Sequence, residues 1–335
     1  MRATDLAYEL PPELIAQHAA EPRDSARLLV YDRASGAIRH RLFRDLSREL
    51  SPGDLLVVND TRVLPVRVRA RRATGGAAEV LLLEPARDGS WEALVRPYRR
   101  LREGEVLEAG EMRVTIAERL GEGRVRVRVS APGTLEQALA ASGEMPLPPY
   151  ITEPLSDPAD YQTVYAQHPG SAAAPTAGLH FSERMWEEIR RDHEVAAITL
   201  DVGLDTFRPL AEEVVEDHPI HSERYRVPEP TAAAVERARS EGRRVVAVGT
   251  TSVRVLETVF GEHGAALEGR TRLLITPGYR FRATGAMITN FHLPRSTLLA
   301  LVMAFAGVEQ TRDLYRTAVS ERYRFYSFGD ASLIL

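Results

Sequence analysis

The sequence LLVVNDTRVLPVRVRAR at residues 55–71 contains the change of pattern on which the fold prediction depends. Its first four residues form a continuous apolar run, which is typical of a strand buried on both faces of a parallel sheet. A polar stretch at residues 59–62 then ends that strand. From Val66 onward, valine or alanine alternates with arginine, and this period of two places apolar side chains on one face of a strand and arginines on the other. We therefore expect a buried α/β strand to lead directly into a separate β domain.

The alternating pattern continues in short strands separated by glycine turns to about residue 132. Further strands of this kind are predicted at residues 79–83, 91–95, 112–116 and 125–129. Several short strands at this spacing indicate a small antiparallel β-barrel, and the proline-rich residues 146–150 end it as a stiff linker. We predict an inserted barrel domain at residues 65–150 and a discontinuous α/β domain formed by residues 1–64 and 151–335.

The remainder of the chain alternates predicted strands and helices. The strands are expected at residues 27–31, 38–43, 195–200, 245–248 and 273–276. The helices are expected at residues 182–193, 232–241, 252–260, 298–306 and 310–321. The helix at 298–306 is apolar on all sides, so it should be buried.

Cysteine and lysine are both missing from the 335 residues, and all 43 basic residues are arginine. The absence of cysteine excludes disulfides, thiolate zinc sites, iron–sulfur clusters and cysteine nucleophiles. The absence of lysine excludes a Schiff-base lysine and a phosphate-loop lysine. The net charge of −4 argues against a wholly basic nucleic-acid-binding surface but permits a local one. We expect an α/β enzyme whose chemistry uses neither a thiol nor an amine side chain.

The N-terminal residues lack the apolar core of a signal peptide. The longest strongly apolar run, residues 298–306, is too short to cross a bilayer. We expect a soluble cytoplasmic protein that does not enter a membrane.

Two segments combine small or hydroxyl residues with a predicted helix start. In residues 170–181, alanines and glycines would let a ligand approach the backbone, and His180 could titrate near neutral pH; the alternative is a plain loop before a capped helix. Residues 248–254 lie between a strand and a helix, where α/β sheets commonly bind ligands. Their hydroxyls could hold a carboxylate or phosphate, or could simply cap the helix.

Three further segments carry polar or charged side chains. Residues 289–297 place an amide, an imidazole, a guanidinium and hydroxyls before a buried helix, either for a ligand or as a helix cap. Residues 218–223 contain His and Glu at a spacing that permits zinc ligation, although an acid–base pair or a polar loop fits better. The arginines of the barrel would track phosphates or form a solvated face paired with glutamates.

Longer motifs occur in order along the chain. They lie at residues 59–62, 146–151, 161–166, 173–181, 249–254, 277–279, 289–294, 323–325 and 329–330. Among them, APTAGLHF and TNFHLP are long and specific. With these motifs the chain resembles, over nearly its whole length, the S-adenosylmethionine:tRNA ribosyltransferase-isomerase family of queuosine biosynthesis.

The resemblance implies both a fold and an activity. Members of the family have an α/β domain with an inserted β-barrel. They move the ribosyl part of S-adenosylmethionine onto an aminomethyl-deazaguanine base at the tRNA wobble position, which gives epoxyqueuosine and releases adenine and methionine. The expected partners are therefore that tRNA and S-adenosylmethionine. The latter acts as the donor substrate, and neither a cofactor nor a metal is expected. We also expect a monomer.

The resemblance and the chemistry of the residues together select the candidate site. The acid–base candidates are His180, His292, His221 and Glu223, and His180 and His292 are expected to line the ribosyl site. The substrate-binding candidates lie in the motifs: Asn59, Asp60, Arg62, Thr176, Gly178, Thr250, Thr251, Arg254, Thr289, Asn290 and Arg324. The candidates for contact with tRNA phosphates are Arg67, Arg69 and Arg71.

Four residues depart from the usual family pattern: Asp201 in place of histidine, Asp205 in place of glycine, Gly285 in place of aspartate and Ser332 in place of methionine. These changes allow a paralogue that acts on another deazapurine. Two other classes are a zinc-dependent hydrolase that uses His218, His221 and Asp201, and a catalytically inactive RNA-binding protein.

Overall fold

The structure is a computed structural model that describes residues 1–86, 88–203, 210 and 212–335. Its strands, in chain order, are β1 (Arg27–Tyr31), β2 (Ile38–Leu42), β3 (Leu55–Asn59), β4 (Thr61–Val63), β5 (Arg67–Arg72), β6 (Ala77–Pro85), β7 (Trp91–Arg96), β8 (Val106–Ala109), β9 (Met112–Gly121), β10 (Arg124–Ser130), β11 (Gly143–Glu144), β12 (His168–Ser171), β13 (Glu194–Leu200), β14 (Glu223–Arg226), β15 (Val245–Val248), β16 (Glu268–Thr271), β17 (Ala286–Asn290) and β18 (Ala331–Ile334).

The α-helices of the described residues are α1 (Leu46–Glu49), α2 (Leu135–Ser142), α3 (Glu183–Asp192), α4 (Glu229–Ser240), α5 (Thr250–Phe260), α6 (Thr297–Ala306) and α7 (Val308–Ser320). The predicted cap of α3 is confirmed, because the Ser182 hydroxyl accepts a hydrogen bond from the Met185 backbone. The prediction that residues 298–306 form a buried helix is also confirmed.

A mixed sheet of nine strands is the centre of the first compact unit, in the order β16-β14-β13-β3-β15-β17-β18-β1-β2. Its middle strands β13, β3, β15 and β17 are parallel to one another. Every residue of β3, β15 and β17 is buried, as expected for strands covered on both faces. The carboxyl ends of four neighbouring strands therefore meet at one edge of this sheet.

A closed antiparallel barrel of six strands is the centre of the second unit. The order is β5-β6-β7-β10-β9-β8, β8 pairs back with β5, and β11 adds to β5. Val68 on β5 is buried while Arg69 and Arg71 are exposed, so the valine–arginine alternation is confirmed. The α/β fold with a small antiparallel β-barrel is thus as the sequence predicts.

Each of these two units is formed by more than one segment of the chain. The first contains Met1–Thr61, Pro149–His168 and Ala174–Leu335, and the second contains Arg62–Pro148 and Pro169–Ala173. No helix of the described residues is long and apolar enough to span a membrane.

The predicted strand at residues 273–276 is wrong. This segment has no regular structure, and the neighbouring strand β16 ends at Thr271. The apolar side chains of Leu273 and Ile275 line a cavity, and the Leu273 carbonyl oxygen accepts from the Arg254 guanidinium instead of from a strand. Pro277 follows directly and lacks the N–H that a central strand would need.

Candidate functional site

A polar cavity opens at the carboxyl ends of the parallel strands in the first unit. It encloses about 620 Å³, including solvent space at its mouth. We call it the polar cavity. Its polar lining residues are Tyr150, Thr176, Thr250, Thr251, Thr289, Asn290, His292, Ser296, Tyr326 and Ser327. Six of these ten are in the predicted site: Thr176, Thr250, Thr251, Thr289, Asn290 and His292. None carries a fixed charge, so the cavity presents neutral donors and acceptors.

Asn290, the last residue of β17, is the centre of the hydrogen bonding behind this cavity. Its Oδ1 accepts from the Thr176 hydroxyl at 3.0 Å, and its Nδ2 donates to the Tyr326 carbonyl oxygen at 3.1 Å. The same Nδ2 lies 3.1 Å from His180 Nε2. Because the Tyr326 oxygen can only accept, the amide orientation is fixed and His180 Nε2 must accept as well. The proton of neutral His180 is therefore on Nδ1.

His180 does not line the polar cavity, although the sequence suggests that it should. It is 4% exposed and its ring packs against Phe43, with ring centroids 5.0 Å apart. Burial, with smaller contributions from the nearby Arg324 and Arg23 charges, lowers its pKa from 6.5 to about 3. At neutral pH the ring is uncharged and acts on the cavity through Asn290.

His292 does line the cavity, and several contacts place it there. Its Nε2 is 2.8 Å from the Thr289 hydroxyl, while its backbone N–H donates to the Tyr315 hydroxyl at 2.9 Å. The Tyr8 hydroxyl donates to its carbonyl oxygen. Burial lowers the pKa of His292 from 6.5 to about 3, so this imidazole is also neutral near pH 7.

The turn between β15 and α5 supplies the opposite side of the polar cavity. Gly249 has φ of +90°, a conformation that glycine adopts without strain. This turn directs Thr250 and Thr251 at the first turn of α5 toward the cavity. Asn59 at the end of β3 holds this edge together, since its Nδ2 donates to the Leu200 carbonyl oxygen at 3.0 Å and lies 3.4 Å from the Thr251 hydroxyl.

A second cavity of about 520 Å³ neighbours the first, and Leu298 lines both. We call it the charged cavity. Its lining residues are Gly203, His218, Ile220, His221, Glu223, Arg254, Leu273, Leu274, Ile275, Thr297, Leu298 and Leu301. Arg254 Nη1 forms an ion pair with Glu223, and Arg254 Nε donates to the Leu273 carbonyl oxygen at 3.1 Å. The predicted candidates His221, Glu223 and Arg254 thus come together here and not in the polar cavity.

Two of the three candidate zinc ligands, His218 and Asp201, are paired with other side chains instead. His218 Nδ1 pairs with the Glu212 carboxylate, and Asp201 pairs with Arg224 at 2.8 Å. Among the described residues there is no group of three or more His, Asp or Glu side chains placed to hold a metal ion. The zinc-hydrolase alternative therefore lacks a ligand set in the part of the chain that the structure describes.

Four substrate-binding candidates of the first unit line neither of these two cavities: Asn59, whose contacts are given above, Asp60, Gly178 and Arg324. Asp60 accepts from the Thr199 hydroxyl at 2.7 Å, and burial raises the pKa of its carboxyl. Arg324 pairs with Asp330 at 3.4 Å. Gly178 is buried for packing: a Cβ there would lie 1.9 Å from the Tyr165 hydroxyl oxygen, so no larger residue fits.

The remaining predicted residues belong to the barrel unit. Arg62 pairs with Glu136. Arg67 is half-buried and donates to the Leu147 carbonyl oxygen, whereas the exposed Arg69 pairs with Glu144 at 2.7 Å. Arg71 is exposed on the same strand β5. Arg69 and Arg71 are therefore the more accessible of the three for a phosphate.

Four polar lining residues of the polar cavity were missed as site candidates: Tyr150, Ser296, Tyr326 and Ser327. The Tyr150 hydroxyl bonds the Ser327 hydroxyl at 2.7 Å, and the Tyr150 ring lies 4.7 Å from that of Tyr326. Tyr326 has φ of +71°, which is uncommon for a bulky residue and marks a constrained backbone. The aromatic run around residue 326 offered only a weak signal, because a core segment has the same composition.

None of the described departures from the family pattern lines either cavity itself. Asp201 pairs with Arg224 on the adjacent strand β14, and the Ser332 hydroxyl donates to the Thr289 carbonyl oxygen at 3.1 Å. A Cβ at Gly285 would lie 2.7 Å from the Arg244 side chain, so a larger residue requires that side chain to move. Asp205 lies outside the described residues.

Comparisons with known proteins identify the family of the chain. The family model described as queuosine biosynthesis protein matches residues 3–334. A protein of Rubrobacter xylanophilus named S-adenosylmethionine:tRNA ribosyltransferase-isomerase is 56% identical, over 100% of this chain and 98% of its own length. One of the same name from Moorella thermoacetica is 53% identical over 100% of both chains.

A solved structure shows the same fold. The crystal structure of S-adenosylmethionine tRNA ribosyltransferase from Thermotoga maritima is 37% identical, with a TM-score of 0.57 over 99% of this chain and 100% of that one. The chain therefore belongs to the queuosine biosynthesis protein family and is a transferase-isomerase.

Proposed function

We propose that this enzyme transfers and isomerises the ribosyl part of S-adenosylmethionine onto aminomethyl-deazaguanine at the wobble position of a tRNA. The product is epoxyqueuosine in the tRNA, and adenine and methionine are released. S-adenosylmethionine serves as a substrate, and the reaction uses no further cofactor. The names of the relatives, with 56% and 53% identity over the whole chain, support this assignment.

One structural observation carries the proposal. Thr250, Thr289, Asn290 and His292 surround one cavity at the carboxyl ends of the parallel strands β15 and β17. This edge is where open α/β sheets bind their ligands. A lining of hydroxyls, an amide and a neutral imidazole matches the ring nitrogens of adenine and the hydroxyls of ribose.

The reaction requires a proton to leave the ribose methylene next to the sulfonium, and it requires a hydrogen bond or proton for the departing adenine. His292 lines the polar cavity and has a neutral imidazole, so we propose that it exchanges a hydrogen bond or proton with the donor. Its low pKa makes it a weak base. His221 and Glu223, which line the neighbouring cavity, remain the other acid–base candidates.

The role of His292 is tested by its replacement with glutamine, which keeps a hydrogen-bonding group but cannot exchange a proton near neutral pH. We expect adenine release to slow by about 100-fold. His263→Gln is the matched control, because His263 is exposed and lines neither cavity. Normal turnover by a folded His292→Gln variant would remove His292 from the chemistry.

We propose that Arg67, Arg69 and Arg71 contact tRNA phosphates, with Arg69 and Arg71 the most accessible. The double variant Arg69→Glu/Arg71→Glu should weaken tRNA binding and reduce the salt dependence of the Kd by about one phosphate contact per residue. Arg316→Glu is the control, because Arg316 is an exposed, paired arginine on α7. An unchanged salt dependence would indicate that these arginines form only a solvated face.

The reaction itself is tested by mass spectrometry of protein incubated with S-adenosylmethionine and tRNA that carries aminomethyl-deazaguanine. Adenine, methionine and epoxyqueuosine in the tRNA are the expected products. If the folded protein gives no product while a known family member is active in parallel, the proposal is wrong. The search for an acceptor would then move to other deazapurines, as the departures at Asp201 and Gly285 allow.

A further inference from the structure

The charged cavity contains a guanidinium that is only partly satisfied. Arg254 is 7% exposed, its Nη1 pairs with Glu223, and its Nε bonds the Leu273 carbonyl oxygen. Its Nη2 is buried and has no hydrogen-bond partner among the described residues. A buried donor of this kind costs free energy, and in native structures most buried donors have an acceptor in the protein, an ordered water or a bound group, so Nη2 can donate to a group bound in this cavity.

The surroundings of Nη2 limit what that group can be. Leu273, Ile275 and Leu301 contribute apolar walls, so charges in the cavity are poorly solvated and must be paired. Glu223 contributes a carboxylate beside the guanidinium, and its Oε1 accepts from the Gly203 backbone N–H at 3.2 Å. A simple anion would be attracted by Arg254 but repelled by Glu223. A simple cation would be attracted by Glu223 but repelled by Arg254.

A zwitterion is complementary to both groups. We propose that the charged cavity binds the α-amino-acid group of the donor substrate, with its carboxylate accepting from Arg254 Nη2 and its ammonium on the side of Glu223. A carboxylate oxygen accepts more than one hydrogen bond, so Glu223 has the capacity for this contact while it holds Arg254. This assignment rests on the proposed function, in which S-adenosylmethionine is the donor.

The position of the two cavities fits one extended ligand. Thr250 and Thr251 line the polar cavity, and Arg254 lies one turn further along the same helix α5 in the charged cavity. Leu298 lines both cavities. The adenosyl and amino-acid parts of S-adenosylmethionine would thus occupy neighbouring spaces, with the neutral part in the neutral lining and the charged part in the charged one.

Calorimetric binding to the unmodified protein tests this without any risk of misfolding. The probes are S-adenosylmethionine and its decarboxylated analogue, which keeps the sulfonium and the ammonium. We expect the analogue to bind about 30-fold more weakly, because it cannot accept from Arg254. Equal affinity for the two probes would overturn the assignment, even if the protein releases adenine from S-adenosylmethionine. Absence of binding to both would overturn it together with the proposed function.

The variant Arg254→Gln assigns the discrimination to this residue. Its affinity for S-adenosylmethionine should fall to within a few-fold of its affinity for the analogue, so the preference of about 30-fold disappears. Arg244→Gln is the matched control, since Arg244 pairs with the buried Asp54 and lines neither cavity. A folded Arg254→Gln variant that keeps the full preference would show that the carboxylate binds elsewhere.

Discussion

The polar cavity and the charged cavity share helix α5 and Leu298, yet their buried polar groups differ in charge and in how that charge is stabilised. In the polar cavity, the buried groups are neutral and hydrogen-bonded to one another through Asn290. In the charged cavity, Arg254 keeps its ion pair with Glu223, while Arg254 Nη2 has no hydrogen-bond partner among the described residues. The contrast shows that a low dielectric removes the charge of an imidazole by lowering its pKa, whereas a guanidinium keeps its charge and needs a partner.

The largest expected effect comes from breaking the ion pair. Arg254→Met removes the guanidinium that pairs with the buried Glu223 carboxylate, so we expect the free energy of unfolding to fall by about 3–5 kcal/mol. Urea unfolding of the single variant and of Arg254→Met/Glu223→Gln measures it. The double variant should recover much of the loss, because the buried carboxylate charge is removed as well. Equal losses in both would show that packing and not charge dominates there.

A smaller loss of unfolding free energy is expected when the hydrogen bonds of Asn290 behind the polar cavity are removed. Asn290→Ala removes the partners of the Thr176 hydroxyl, His180 Nε2 and the Tyr326 carbonyl oxygen, which should cost about 2–3 kcal/mol in unfolding free energy. Thr176→Val is the graded control, because it removes one of these bonds and should cost about 1 kcal/mol. A loss in Asn290→Ala no larger than that of the control would contradict the central role of Asn290.

The pH dependence of the free energy of unfolding tests whether the His180 imidazole is neutral in the folded protein. The folded chain keeps His180 neutral down to about pH 3, whereas the unfolded chain binds a proton there below about pH 6.5. The stability due to this group is therefore complete above pH 6.5 and is lost as the pH falls toward 3, by about 1.4 kcal/mol per pH unit.

The variant His180→Gln should lose this contribution to the slope in chemical unfolding measured between pH 6.5 and pH 4, whereas the contribution of His292, whose pKa is lowered to about the same value, remains. The control His263→Asn changes an exposed imidazole and should leave the slope as it is. If His180→Gln keeps the full slope, the ring is not held neutral in the folded protein.

The smallest effect is expected outside both cavities. Asp201→Asn breaks an ion pair with Arg224, whose side chain is 60% exposed, so it should change the free energy of unfolding by less than about 1 kcal/mol. Adenine release should stay within about two-fold of the unmodified enzyme, because Asp201 lines neither cavity. A large loss of turnover with normal folding would show that this departure from the family pattern alters the chemistry.

Much of the fold could be predicted because its patterns are local. Residues 55–58 are apolar without interruption, and residues 66–71 alternate, so the buried strand and the barrel followed directly. The strand predicted at residues 273–276 failed because an apolar run has the same pattern whether a sheet or a cavity buries it. Tertiary contacts decide between the two, and they are not visible in a single sequence.

The site was predictable as a set of segments but not as a geometry. The motifs predicted Asn290 and Thr250 as ligand contacts, and both line the polar cavity, yet the motifs could not show that His180 lies behind Asn290 or that Arg254 lies in a separate cavity. Gly178 was expected to admit a ligand, whereas it admits the Tyr165 hydroxyl. These distinctions depend on the tertiary packing that decides which side chains line a cavity and which lie behind them. The spacing of residues along the sequence does not determine that packing.

The most direct test is a crystal structure of this protein with S-adenosylmethionine bound. We expect adenine and ribose in the polar cavity, in contact with Thr250, Asn290 or His292, and the donor carboxylate within hydrogen-bond distance of Arg254 Nη2. Adenine in the charged cavity, or the carboxylate on a group other than Arg254, would contradict the division of the site into a neutral and a charged part.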